Sequence, residues 1–340
     1  MRLTELDSLH LLDGSVKLPV QFILDNAYLT EGDAAFVGGS LIEGLGNRHS
    51  DVDVHVLVRE TLTASMIRPQ NHYRILSRDR TLVDGELPAQ DVFLIHTVIP
   101  GTQIKIDIEY RTFAEVEQLV STVEEIFSYA TRSLILLTKT LPVREMAFLH
   151  RMFNCADIQN TEYLDELRER IGIARFLYLM YRWKASDFSV LLDILGAWEN
   201  NELIRCADLA RENMVTQFHA YCHLCGNTNY HRKWIIPYAR KLKVEKTILS
   251  RFESLLLTGS FLTENELKEF ILHTFDFCDD LFRAGVPLIE SQEEYPSGEA
   301  ALRLLDAHVK EEAGEYSDME VIYRKKAYSI NGLSIREWFK

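Results

Sequence analysis

The sequence predicts an α+β protein, with a strand-rich N-terminal domain followed by an all-helical one. Three observations carry this. The chain has 340 residues, enough for about two domains. Between residues 15 and 112, short β-branched runs alternate with Gly, Pro, Asn and Asp, whereas beyond 113 apolar residues recur at helical spacing. The composition, 47% hydrophobic and 26% charged, is that of a globular chain able to bury a core in each half.

Taken in order, a helical pattern covers 16–27, and strands are expected over 34–37, 52–58, 91–99 and 103–110. This sets a first domain over residues 1–115. Helices follow over 113–120, 123–139, 144–154, 163–181, 188–198, 203–225, 233–257 and 264–284, a bundle placed at 116–290. Thr263, with Glu266 three residues later, is a capping-box pattern, and Gly226-Asn227 is a stop signal for the helix that begins at 203. Residues 291–298 are polar and contain Pro296, so they read as a linker opening a tail over 291–340. In that tail Asn331-Gly332, set between 320–328 and 333–339, predicts a β-hairpin.

Charge and cysteine usage exclude several classes. Thirty-seven basic against fifty-one acidic residues give a net charge of −14, which repels a polyanion. A nucleic-acid partner is therefore disfavoured, and with it a template-directed or tailing polymerase. The five cysteines are odd in number and scattered, unlike a disulfide framework, and fit a reducing cytoplasm. The N-terminus has acids where a secretion signal needs a basic stretch, and no run reaches about 18 uninterrupted apolar residues, so no membrane is expected as a partner.

The stretch that carries chemistry is 38–56. Gly38, Gly39, Gly44 and Gly46 follow an apolar run and allow a tight turn whose backbone N–H groups can approach an anion. Asp51 and Asp53 come next, two apart in a β-branched run, so both carboxylates project to one strand face while Val52, Val54, Val56 and Val58 cover the other. Adjacent carboxylates repel unless a cation neutralises them, and oxygen donors of this kind suit Mg²⁺. Residues 103–111 repeat the alternation: Ile104, Ile106 and Ile108 face one way, Lys105, Asp107 and Glu109 the other. Were the two strands neighbours, Asp107 would join the pair.

Gly39-Ser40, ten intervening residues, Asp51-Val52-Asp53 and the downstream Asp107 resemble the signature of the polymerase-β-type nucleotidyltransferase superfamily. The resemblance covers roughly 30–112, and the helical remainder is similar in architecture to the helical domains of aminoglycoside-type, small-substrate nucleotidyltransferases. Asn47 to Ser50 resemble a variant of the motif found in some members. The resemblance implies that Gly39 and Ser40 hold the terminal phosphates of a nucleoside triphosphate, with ATP expected as co-substrate. It implies that Asp51 and Asp53 ligate two Mg²⁺ ions and that Asp107 completes the metal site. The reaction implied moves a nucleoside monophosphate, expected to be AMP, onto a hydroxyl of a small molecule and releases pyrophosphate. Glu109, on the face of Asp107, is a candidate general base.

Other features have plainer readings. His55 shares the acidic face by parity and reads as structural. The group His219, Cys222, His223 and Cys225, with His231 after it, suggests a zinc site, but only one Cys-x-x-Cys pair exists and it lies inside a helix, so packing is the favoured reading. The loop at 227–231 leads to Lys233, which resembles a phosphate-facing lysine in helical domains of related enzymes; Arg232 and His231 are its alternatives. Phe176, Tyr178, Tyr181, Trp183 and Trp198 read as core, and the acidic run from Glu311 to Glu320 as a solvated face. Two other functions stand beside the first: a protein AMP-transferase of toxin or antitoxin type, and a non-catalytic nucleotide sensor.

Overall fold

The computed structural model describes residues 8–78, 91–135, 137–185, 187–259, 263–311, 317–332 and 334–339. Its fold is α+β, divided into two compact units: Met1–Thr122 with Val143–Ile173, and Val123–Pro142 with Ala174–Lys340. The first unit thus extends past 115 and takes back a segment that the periodicity assigned to the bundle.

In the first unit, β1 (Ser8–Leu11) and β2 (Val16–Pro19) form an antiparallel hairpin, followed by helix α1 (Val20–Ala27). The helix expected from residue 16 begins only at 20, because Pro19 holds the extended backbone at its N-cap. Strands β3 (Ala34–Gly38), β4 (Val52–Val58), β5 (Arg74–Ser77), β6 (Val92–Val98), β7 (Lys105–Thr112) and β8 (Ala156–Gln159) make one sheet in the order β5-β6-β7-β4-β3-β8. The β4–β7 pair is parallel and every other pair in it is antiparallel.

Val52, Val54, Val56 and Val58 join Ile95, Ile106, Ile108 and Tyr110 in a core that also contains Ile23 and Ala27 of α1. The period-2 alternation of the strands puts these residues on a single face. The opposite face is not uniformly open: on β4, His55 and Leu57 are buried there, and Asp53 is the partly exposed residue. Helix α2 (Phe113–Arg132) leaves the sheet, α3 (Val143–Phe153) packs on the second face through Phe148, and α4 (Thr161–Ile171) follows β8.

The second unit contains α5 (Ile173–Ala185) from its second residue on, α6 (Ser189–Glu199), α7 (Leu203–Leu224), α8 (Ile235–Lys241), α9 (Lys246–Leu257), α10 (Glu264–Glu290), α11 (Gly298–Glu311) and α12 (Asp318–Lys325). The expected capping box is present: Thr263 accepts from the Glu266 amide, and Glu266 returns a bond to the Thr263 amide. Phe218, Phe252 and Phe277 stack at the meeting of α7, α9 and α10.

The tail departs from expectation. Instead of a hairpin around Asn331-Gly332, it forms α12 and a 3-10 turn at Ile335–Phe339. Its buried residues explain why: Asp279 on α10 takes an ion pair from Lys326 and hydrogen bonds from Ser334 Oγ and the Ile335 amide, while Phe339 stacks on Phe275. Tertiary docking overrides the turn signal.

Candidate functional site

The parallel register of β4 and β7 sets Asp53 directly beside Asp107 and His55 beside Glu109. The juxtaposition that the alternating pattern required is therefore present. Asp51 lies one residue before β4, exposed at its mouth. Burial pushes the Asp53 carboxyl above the usual carboxylate range; the Arg151 guanidinium opposes this, while Asp51 and Asp107 add to it by like-charge repulsion.

The glycine turn is fitted to this carboxylate. Gly38 pairs with Asp53 across β3 and β4, and Gly39 has φ +98°, a conformation that a β-carbon resists. A Cβ at Gly39 would lie 2.6 Å from Asp53 Oδ2, so glycine is what allows the turn and the carboxylate to approach. Ser40 opens the turn, its carbonyl accepting from the amides of Leu45 and Gly46.

Helix α3 supplies the partners that sequence reasoning missed. Arg151 forms an ion pair with Asp53, Nε lying 2.9 Å from Oδ2. Arg144 Nε and Arg111 Nε both lie 3.2 Å from Glu109 Oε1, and Arg111 Nη1 reaches Glu145 Oε2 at 2.5 Å. On β6, His96 Nδ1 contacts Asp107 Oδ1 at 2.5 Å, and its ring stacks on Tyr73. One signal was available: Arg144, Phe148 and Arg151 are spaced i, i+4, i+7, so two cations share the stripe of α3 that turns toward the sheet.

Glu109, the candidate general base, shares the face of Asp107, and its Oε1 accepts from the Arg111 and Arg144 guanidinium groups. His55 proves structural in setting: its ring stacks on Phe36 and meets Phe148 edge-on. Burial above all, then Arg151, Arg111 and Arg144, holds its imidazole well below the ordinary range, and neither ring nitrogen has a hydrogen-bond partner among the described residues.

The donor chemistry suits a divalent cation in type and placement, since hard oxygens of Asp53 and Asp107 stand side by side under a turn that leaves Oδ2 room. It is not a preformed three-carboxylate cage. Among the described residues no group of three or more His, Cys, Asp or Glu side chains converges as metal ligands; Asp53 and Asp107 instead meet a guanidinium and an imidazole.

Lys233 lies in the second unit, exposed in the 3-10 turn Arg232–Trp234, with Nζ 5.5 Å from the Trp234 ring centroid. His219 bonds the carbonyl of Asn229 and His223 that of Asn227, and all five cysteines are free thiols. No helix among the described residues is long and apolar enough to cross a membrane.

No family model and no curated protein matches the chain. Among solved structures, the chain is similar to a nucleotidyltransferase-like protein from Exiguobacterium sibiricum 255-15 over 86% of its own length and 89% of the other's. The identity is 11% and the TM-score 0.35, too distant to establish a shared fold.

Proposed function

We propose that this protein is a nucleotidyltransferase that moves a nucleoside monophosphate, AMP from ATP, onto a hydroxyl of a small molecule with release of pyrophosphate. The observation that carries the reading is the pairing of Asp53 with Asp107 on parallel strands, with Gly39 set against the Asp53 carboxylate. Gly39 and Ser40 begin the turn that would receive the terminal phosphates. Asp53 and Asp107, with Asp51 at the mouth, are the residues that would hold Mg²⁺. Bound there, Mg²⁺ would supply charge stabilisation at the transferred phosphate and a lowered pKa at the acceptor hydroxyl. The chain's own part is to position: the strands fix the carboxylates, Arg151 pairs with Asp53 and His96 contacts Asp107, and the turn orients the nucleotide.

The test uses α-labelled ATP with Mg²⁺ and a small-molecule extract. Label should pass into a low-molecular-weight product with the native protein and not with Asp53→Asn. Label in protein would favour AMP transfer to side chains. A second reading, a nucleotide sensor without turnover, is favoured by the ion pairs that already occupy Asp53 and Asp107. Calorimetry would support it by showing nucleotide binding unaccompanied by pyrophosphate release.

A further inference from the structure

The turn over 38–46 is bonded within itself. The Gly39 carbonyl accepts from the Ile42 and Glu43 amides, that of Ser40 from Leu45 and Gly46, and that of Leu41 from Gly44. Such bonds set the shape of a turn but not its orientation on the sheet. Its outward contacts include Leu41, buried in the core, Ile42, packed against that core, and the Glu43 carboxylate, which lies 3.3 Å from His150 Nε2 on α3. The side chains of this pair are only 3% and 6% exposed, although Glu43 belongs to a surface turn.

The proton on His150 can be placed. Asn154 Nδ2 lies 3.3 Å from His150 Nδ1 and 2.8 Å from its carbonyl, so Nδ1 accepts and Nε2 carries the hydrogen directed at Glu43. Two apolar side chains would fill the same space without loss of stability, but they would leave the direction of the turn unspecified.

We infer that His150 is a positioning residue: through Glu43 it sets the angle at which the glycine turn offers the backbone amides its internal bonds do not use, such as that of Ser40, to the phosphates of a nucleotide. This rests on the nucleotidyl-transfer reading. It makes α3 part of the nucleotide site in a second place, independent of the Arg151–Asp53 contact.

The experiment measures binding of the α,β-methylene analogue of ATP, with Mg²⁺, and of adenosine, by calorimetry on the full chain. The double variant Glu43→Met, His150→Leu should keep its thermal stability and lose about tenfold in affinity for the triphosphate, the scale of one charge-assisted hydrogen bond, with adenosine unaffected. His150→Gln, which keeps a donor near Nε2, should retain native affinity, and this variant also serves if the double one does not fold. Unchanged triphosphate affinity in the double variant overturns the inference, as does an equal loss for adenosine, or a loss in His150→Gln. Native protein that binds neither analogue nor ATP would overturn the underlying reading as well, so the two failures are distinct.

Discussion

Replacing Gly39 by alanine separates the chemistry of the turn from its backbone strain. At φ +98° a β-carbon costs about 1–2 kcal/mol before any contact is considered. The new methyl would then stand 2.6 Å from Asp53 Oδ2, roughly 0.8 Å inside the 3.4 Å at which ordinary contact begins. The carboxylate must give way by about that distance, and a displacement near 1 Å costs a catalytic group up to about 10²-fold in rate. Gly44 is the matched control, since its φ of +71° imposes similar strain while a Cβ there meets nothing within 4 Å. Urea unfolding should show Gly44→Ala destabilised by about 1 kcal/mol and Gly39→Ala by about 2–3 kcal/mol. Pyrophosphate release from ATP should fall about 10²-fold in Gly39→Ala only. Equal stability and equal turnover in the two variants would refute the argument that Gly39 exists to admit the Asp53 carboxylate.

Three further outcomes are expected. Burial, then the nearby Lys184 charge, pushes the His219 imidazole down to about 3 from 6.5, so the native state binds fewer protons than the unfolded chain between those values. Stability is therefore full above pH 6.5 and should drop by about 2–3 kcal/mol from pH 7 to 4.5, a loss that urea titrations should find flattened in His219→Gln. Lys326→Met strands the buried Asp279 carboxylate and should cost about 3 kcal/mol by thermal unfolding, with part of the loss recovered when Asp279→Asn is added. Lys233→Ala removes an exposed side chain and should change stability by less than about 0.5 kcal/mol in urea unfolding; a larger loss would contradict that exposed setting.

The alternation Val52-Asp53-Val54 and Ile106-Asp107-Ile108 contained enough to place both strands and to put their acids on one face, because one buried face forces the period. It could not reveal that the other face is also covered: that depends on α3, whose Phe148 packs against Phe36 and meets His55 edge-on from more than ninety residues away in sequence. The same gap hid the cations. Glu109 looked available because its partners Arg111 and Arg144 are ordinary surface residue types, and only packing shows them turned inward. In the tail, Asn331-Gly332 is a local signal, and the burial of Val321, Tyr323, Ile335 and Phe339 against the helical unit outweighs it.

Nucleotidyl transfer at this site requires Asp53 and Asp107 to share a cation that carries a nucleotide. A crystal grown with Mn²⁺ and the α,β-methylene analogue of ATP, measured at the manganese absorption edge, tests this most directly. An anomalous peak within about 2.5 Å of oxygens from both carboxylates, with the triphosphate against Gly39 and Ser40, is the predicted result. Manganese elsewhere, with Arg151 still bonded to Asp53, would contradict it.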